Sequence, residues 1–167
     1  MLRCQQIERN VILPFAMYNG PLYIASDHAG YQLKKRLIRF LEKELGVAVE
    51  DMGPHEYDET DDYPDYVIPA AQKAVQTNGR AIMICGSGIG ESIAANKAKG
   101  MRAALAYNIE AARLSRTDND ANGLCLAGRV LSDDHAMAMV KKWLETDFAG
   151  GRHERRIKKV EKFEQSR

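Results

Sequence analysis

The sequence predicts an α/β fold in a single domain, a three-layer sandwich with a five-stranded parallel sheet between two layers of helices. Five short apolar runs alternate with helical patterns, and such alternation is typical of parallel sheets covered on both faces. The chain has 167 residues, which suits one compact domain with its own core. Its 45% hydrophobic and 28% charged residues are ordinary for a globular protein.

The first half of the chain contains two predicted strands and two predicted helices. Residues 22–26 form the first apolar run, and a helix follows from Tyr31, where apolar residues recur at helical spacing until Gly46 ends the pattern. Residues 47–49 are predicted as the second strand. An acidic loop comes next, and then a helix over about 66–77. These elements make one strand–helix–strand unit and lead into the central strand.

The central segment combines a strand, a glycine loop and a helix. The apolar run Ala81–Cys85 is typical of a strand buried on both faces, and Glu91–Asn96 opens a helix. Between them, glycines alternate at Gly86, Gly88 and Gly90. In this arrangement backbone N–H groups and the positive end of the helix converge on an anion. The alternative is a tight turn that merely requires small residues.

Reactive side chains around the loop favour the first interpretation. Cys85, Ser87 and Glu91 place a thiol, a hydroxyl and a carboxylate within seven residues. The remaining elements continue the alternation. They are predicted as a strand over 102–106, a helix over 109–116, a polar turn over 117–120, a strand over 123–128, a helix over 133–146 and a basic helix over 152–164.

Polar residues follow several of the predicted strands. In a parallel sheet, ligands bind beyond the carboxyl ends of the strands where the strand order reverses. Asp27 and His28, the glycine loop, Asn108 and Arg129 occupy such positions, so we expect one crevice to hold most of them. A helix cap by the Asp27 side chain is the alternative there, but it does not explain His28.

Arg152 and Arg156 are four residues apart on one face of the basic helix, which is suited to gripping a phosphate. A solvated basic face is the alternative interpretation. Likewise, the Asp118–Asp120 segment is open to interpretation as a plain turn.

Composition and motifs argue against several classes of function. The net charge of +1 does not favour nucleic acid, and the three cysteines lack metal-site spacing. The glycine loop lacks both the dinucleotide fingerprint and the lysine of a P-loop. No apolar run is long enough for a membrane span, and the start does not resemble a signal peptide. We therefore expect a cytoplasmic protein without metal, nucleotide cofactor, nucleic acid or membrane partner.

Seven stretches in order resemble the family of ribose-5-phosphate isomerase B and the galactose-6-phosphate isomerase subunits. They cover nearly everything from residue 22 onward. They are SDHAG (26–30), TDDYPDY (60–66), CGSGIGESIAANK (85–97), RAALA (102–106), LSRTDNDAN (114–122), AGRV (127–130) and GGRHERR (150–156). The predicted organisation is an N-terminal extension of unknown role at residues 1–20, outside the resemblance, and an isomerase domain at residues 21–167 that includes the basic helix.

The resemblance implies a flavodoxin-like, Rossmann-like fold and a cofactor-free aldose–ketose isomerase. Members act on phosphorylated sugars through a cis-enediolate, as in the pentose phosphate pathway, and form homodimers or homotetramers with the active site at the dimer interface. The implied phosphate-binding residues are Arg129, Arg152 and Arg156, with His28 nearby. Asp27 and Asn119 would bind hydroxyls, Tyr63 would line the site, and the amides of Gly86 to Gly90 would hold the enediolate oxygen.

The catalytic base is open to two assignments. One branch of the family uses a cysteine before the glycine loop and another uses a glutamate after it, whereas this chain has both Cys85 and Glu91. Two negative charges about 5 Å apart repel by roughly 3 kcal/mol at an effective dielectric near 20. Because a carboxyl group ionises well below a thiol, we expect Cys85 to stay neutral and Glu91 to act as base.

Asp118 is a second departure, because the family pattern has a ring-opening histidine there. A carboxylate needs a raised pKa to serve as a general acid, or it acts as a base alone. One hypothesis is that the substrate is linear from the start and needs no ring opening. Ribose 5-phosphate and ribulose 5-phosphate are the default pair. The alternatives are a tetrose phosphate, a hexose 6-phosphate such as allose or galactose 6-phosphate, and a non-catalytic module that binds a phosphometabolite.

Overall fold

A computed structural model describes residues 17–166 and confirms a single α/β domain around a five-stranded, all-parallel sheet. The strands are β1 (Leu22–Ser26), β2 (Glu50–Asp51), β3 (Arg80–Cys85), β4 (Ala103–Leu105) and β5 (Gly123–Ala127). The helices are α1 (Tyr31–Arg39), prolonged by a π-helical turn (Phe40–Glu44), α2 (Pro64–Gln76), α3 (Ile89–Ala95), α4 (Ile109–Asn119), α5 (Asp133–Leu144) and α6 (Arg152–Gln165).

Alternate side chains of the central strands pack in two separate hydrophobic layers, one on each face of the sheet. On one face, Ile82, Ile84 and their neighbours pack against α1, α4 and α5, with Trp143 fully buried among them. On the other face, Met83 and Cys125 pack against the small side chains of α2 and α3. The strands are apolar at successive positions because both faces are covered.

The strands lie in the order β2-β1-β3-β5-β4. The chain moves outward from β1 to β2 and returns to the other side of β1 for β3, so the order reverses between the carboxyl ends of β1 and β3. A second reversal follows, because β5 is inserted between β3 and β4. The first reversal is where ligands bind in such sheets. The second brings the end of β5 beside the end of β3.

Two predicted elements are wrong in detail. Residues 47–49 are not a strand, because the N–H of Val47 donates to the carbonyl of Leu41 and ends the preceding helix; pairing with β1 starts only at Glu50. The polar turn predicted at 117–120 is helical up to Asn119. There Asp120 ends α4 in the left-handed conformation, with its carboxylate 2.9 Å from the guanidinium of Arg116.

Most of the predicted N-terminal extension, including Cys4, lies outside the described residues. Its end packs on the domain: the N–H of Tyr18 donates to the carbonyl of Leu144, and the Tyr18 ring lies 4.1 Å from the guanidinium of Arg80. Within residues 17–166, no helix has the length and apolar character needed to cross a membrane.

Candidate active site

The glycine loop lies where the strand order first reverses, as predicted. β3 ends at Cys85, the chain turns through Gly86 to Gly88, and α3 begins at Ile89. Gly88 has a φ of +76°, and a Cβ there would lie 2.6 Å from the Leu105 side chain and 3.1 Å from the backbone of Leu126. Only glycine fits this position, and the turn directs the start of α3 toward the sheet edge.

Backbone hydrogen bonds hold the loop against the end of β5. The N–H of Gly128 donates to the carbonyl of Cys85 at 2.7 Å, and the N–H of Arg129 donates to the carbonyl of Gly86 at 3.1 Å. The Arg129 side chain then crosses Gly86, where an added Cβ would lie 3.2 Å from its Cδ. Arg129 is thus fixed beside the loop.

Tyr63 covers the other end of the loop. An added Cβ on Gly90 would lie 2.9 Å from Cζ of the Tyr63 ring. The exposed Ser87 accepts a hydrogen bond from the N–H of Ile89 through its hydroxyl at 3.3 Å. The loop therefore has an aromatic wall on one side, a guanidinium on the other and a hydroxyl at its tip.

Cys85 and Glu91 lie beneath the loop. The Cys85 sulfur accepts a hydrogen bond from the N–H of Gly88 at 3.1 Å, and this residue is 6% exposed. Glu91 is fully buried, and neither of its carboxyl oxygens has a hydrogen-bond partner among residues 17–166. Burial, with a smaller contribution from the neighbouring Cys85, raises the pKa of Glu91 well above that of an ordinary carboxyl group.

Burial therefore opposes the ionisation of Glu91 that we expected from the sequence. That expectation weighed the repulsion between a carboxylate and a thiolate, whereas desolvation is the larger effect. A buried carboxylate is costly to desolvate, so burial favours the protonated form of this carboxyl group. Cys85 retains slight solvent exposure, whereas Glu91 has none.

Asp27 and His28 follow β1 at the same edge. The buried Asp27 accepts a hydrogen bond from the N–H of Gly30 at 3.0 Å; this bond closes a local turn and is not a cap of α1, because Gly30 is the N-cap residue and α1 has no side-chain capping hydrogen bond. His28 Nδ1 lies 2.7 Å from Oδ1 of Asp61, and its Nε2 lies 3.5 Å from the Arg129 guanidinium. Sequence reasoning missed Asp61, and its place in the shared stretch TDDYPDY was the only signal for it.

These residues form one group at the carboxyl edge of the sheet, which we call the carboxyl-edge cluster. Its members are Asp27, His28, Asp61, Tyr63, Cys85, Gly86, Ser87, Gly88, Gly90, Glu91 and Arg129. Asn108 belongs to the same edge, but its side chain caps α4 by accepting a hydrogen bond from the N–H of Ala111.

The other predicted site residues lie elsewhere. α4 starts beyond the carboxyl end of β4 and runs back toward the opposite edge of the sheet, where it carries Asp118 and Asn119. There the carbonyl of Asn119 accepts a hydrogen bond from Arg102, just before β4. Asn119 also lines a groove together with Arg156 of α6.

His153 of α6 completes this second group, with Nε2 3.9 Å from Oδ1 of Asp118 and 3.3 Å from Nε of Arg152. Sequence reasoning missed His153 too, although it lies within GGRHERR. The amino-edge cluster consists of Asp118, Asn119, Arg152, His153 and Arg156. One chain does not bring the two clusters together.

Among residues 17–166 there is no group of three or more His, Cys, Asp or Glu side chains arranged to hold a metal ion. The carboxyl-edge cluster instead offers backbone N–H groups, one guanidinium and one imidazole. A five-stranded parallel sheet with such a cluster at its strand-order reversal is typical of the α/β proteins that bind small anionic molecules there.

Comparison with known proteins identifies the family. A family model described as "Ribose/Galactose Isomerase" matches residues 22–160. The chain is 43% identical to the probable ribose-5-phosphate isomerase B of Mycoplasma pneumoniae over 150 residues, 89% of this chain and 98% of the relative. It is 40% identical to ribose-5-phosphate isomerase B of Mycobacterium tuberculosis over 147 residues, 87% of this chain and 90% of that protein.

Solved structures of ribose-5-phosphate isomerase B also match the fold of this chain. The crystal structure of ribose-5-phosphate isomerase B from Mycoplasma genitalium with bound ribulose-5-phosphate matches with a TM-score of 0.85 and 40% identity, over 88% of this chain and 97% of that one. The structure of ribose-5-phosphate isomerase B from Clostridium thermocellum matches with a TM-score of 0.82 and 45% identity, over 87% of this chain and 98% of that one. The chain belongs to the ribose/galactose isomerase family, as the resemblance indicated.

The buried Glu91 has a measurable effect on stability. Its pKa is higher in the folded chain than in the unfolded chain, so unfolding releases a proton at neutral pH and the free energy of unfolding falls as pH rises. Relative to Glu91→Gln, the wild-type chain should lose up to about 1.4 kcal/mol per pH unit between about pH 5 and pH 8. Urea unfolding at several pH values measures this.

An exposed glutamate provides the control. Glu59→Gln changes the same chemical group on the surface, and its pH dependence should follow that of the wild type. Parallel curves for the wild type and Glu91→Gln would show that Glu91 is ionised in the folded chain.

Proposed function

We propose that the chain is a cytoplasmic sugar-phosphate aldose–ketose isomerase that interconverts ribose 5-phosphate and ribulose 5-phosphate without metal or nucleotide cofactor. The observation that carries this proposal is the carboxyl-edge cluster, in which the Gly88 N–H of the glycine loop donates to the Cys85 thiol and the Arg129 side chain lies over Gly86. The names of the relatives favour the pentose pair, and the reaction would belong to the pentose phosphate pathway.

The isomerisation needs two kinds of group. A base moves one proton between C1 and C2, and donors stabilise the enediolate oxygen as it gains charge. The loop amides from Gly86 to Gly90 are suited to the second task, and Ser87 adds a hydroxyl. A donor of this kind typically contributes about 3–4 kcal/mol to lowering the barrier. Asp27 and Asn119 are the proposed hydroxyl ligands, and Tyr63 forms a wall.

Cys85 is the proposed base. A neutral carboxylic acid cannot accept the substrate proton as an ordinary base, and burial raises the pKa of Glu91 and so favours its neutral form. The N–H of Gly88 points at the Cys85 sulfur and stabilises negative charge there. Glu91 acts beside it as a protonated neighbour.

A second copy of the chain is proposed to complete the site. Arg129 and His28 approach a phosphate from one chain, whereas Arg152 and Arg156 lie at the other edge of the sheet. The surface around the loop has exposed apolar side chains, with Ile93 58% exposed. A homodimer that places the amino-edge cluster of one chain over the carboxyl-edge cluster of the other supplies all the ligands. Two such dimers would form a tetramer.

Asp118 and His153 are proposed to share the ring-opening step. Asp118 replaces the usual histidine, but the imidazole of His153 lies 3.9 Å from its carboxylate. An imidazole is therefore present at the amino-edge cluster to exchange the proton of the ring oxygen. This favours a furanose substrate such as ribose 5-phosphate over a substrate that is always linear.

An activity panel tests the function. Purified protein with added chelator should convert ribose 5-phosphate faster than tetrose or hexose phosphates, and deuterium from the solvent should enter the product at C1 or C2. Binding of ribose 5-phosphate without proton exchange would identify a non-catalytic module. Faster turnover of a tetrose phosphate would instead assign the substrate to the open-chain class.

Two substitutions test the base. Cys85→Ala should reduce kcat by about a thousandfold or more, because it removes the group that takes the proton. Glu91→Gln should keep kcat within about tenfold of the wild type, because a neutral amide resembles a protonated carboxyl group. Loss of activity in Glu91→Gln with full activity in Cys85→Ala would assign the base to Glu91.

Mixing two inactive variants tests the shared site. Arg129→Ala and Arg156→Ala should each be nearly inactive. After joint denaturation and refolding, the mixture should recover about one quarter of the wild-type activity, because half of the dimers are hybrids with one intact site of two. A mixture of Arg129→Ala and Cys85→Ala, both in the carboxyl-edge cluster, should recover nothing. No recovery in the first mixture would show that each site lies within one chain.

A further inference from the structure

Three side chains of the carboxyl-edge cluster form a hydrogen-bonded series. Oδ1 of Asp61 lies 2.7 Å from Nδ1 of His28 and also accepts a hydrogen bond from the His28 backbone N–H at 3.0 Å. Nε2 of His28 lies 3.5 Å from the Arg129 guanidinium. The Asp61 side chain is 4% exposed, and its Oδ2 is buried without a hydrogen-bond partner among residues 17–166.

The partners of His28 define where its proton lies. A guanidinium only donates hydrogen bonds and a carboxylate only accepts them. His28 therefore carries its proton on Nδ1, facing Asp61, and presents the lone pair of Nε2 to Arg129. In the protein without ligand, the free nitrogen of the ring is therefore an acceptor.

Few other groups face the ring. The ring of Tyr57 packs edge-on with its centroid 6.5 Å away. The carboxylate of Asp58 lies on the same acidic loop, but it is exposed and accepts hydrogen bonds from Thr60. Asp27, next to His28 in the chain, is also buried, but its carboxylate accepts from the Gly30 N–H; of the two, Asp61 contacts the ring, and Arg129 supplies the positive charge.

We propose that Asp61 is a positioning residue that lets His28 take up a proton when a sugar phosphate binds; this rests on the proposed function. Phosphate oxygens are acceptors, so they do not fit against the lone pair of Nε2. Arg129 turns its N–H groups to the phosphate, and Nε2 gains a proton from solvent and donates to the same phosphate. The Asp61 carboxylate, held on Nδ1–H, stabilises the imidazolium.

The affinity for the sugar phosphate should decrease as the pH rises. Above about pH 6 the phosphate of the free ligand is a dianion, so binding takes up one proton where His28 is neutral. The affinity should therefore fall about tenfold for each unit of pH increase. Without the Asp61 carboxylate, the imidazolium loses its stabilising partner and binding proceeds without the proton.

Calorimetry measures the proton uptake directly. Ribitol 5-phosphate has no carbonyl and is not isomerised, so it is a suitable probe for the full-length protein. Titrations at about pH 8, in two buffers with different protonation enthalpies, should give about one proton per site for the wild type. Asp61→Asn should take up almost none and bind about tenfold more weakly or worse. Its KM for ribose 5-phosphate should rise while kcat changes little.

Asp62→Asn is the matched control, because it removes the same charge from an exposed neighbour and should behave as the wild type. An unchanged proton count in Asp61→Asn would overturn the proposal, as would a wild type that binds without proton uptake or does not bind the probe. If Asp61→Asn does not fold, His28→Gln decides, since it keeps a donor and should bind without proton uptake.

The calorimetric test of proton uptake and the activity test of the proposed function can fail independently. Proton uptake by a wild-type chain that does not isomerise ribose 5-phosphate would leave this proposal standing and remove the other. A wild-type chain that isomerises ribose 5-phosphate but binds the probe without proton uptake would support the proposed function and overturn the proposal for Asp61 and His28.

Discussion

The site depends on the backbone pairing between the ends of β3 and β5. Two hydrogen bonds, from Gly128 to Cys85 and from Arg129 to Gly86, continue the sheet for two residues beyond the strands. They exist because β5 is inserted next to β3 in place of β4. The pairing holds the glycine loop rigid and places a guanidinium beside it. A preorganised loop stabilises developing charge without having to reorient during the reaction.

Close packing around this pairing explains the glycines better than flexibility does. Gly30 has an ordinary φ of −94°, yet a Cβ there would lie 2.3 Å from the carbonyl oxygen of Ile84. Gly86 and Gly90 likewise lie directly under the side chains of Arg129 and Tyr63. In this site, glycine therefore lets β1, β3 and β5 end close together. Gly88 alone in the loop also requires a positive φ.

Sequence periodicity predicted the sheet, the helices and the glycine loop, because burial on two faces leaves a direct pattern of apolar residues. It failed at residues 47–49, where a β-branched run serves to end a helix and fill the core. It also could not predict the raised pKa of Glu91, which depends on complete burial by residues distant in sequence. Asp61 was missed for a related reason: an acidic loop does not reveal which carboxylate folds under the imidazole.

The separation of the two clusters has a consequence for how this fold acquires activity. A helix that follows a parallel strand must run back to the opposite edge, so α4 carries Asn119 away from the loop that the same sheet builds. No local change in the chain moves it back. The proposed second copy would solve this topological problem and would link activity to assembly. An isolated subunit would then keep its folded core and its base, but would lack most of the groups proposed to grip the phosphate.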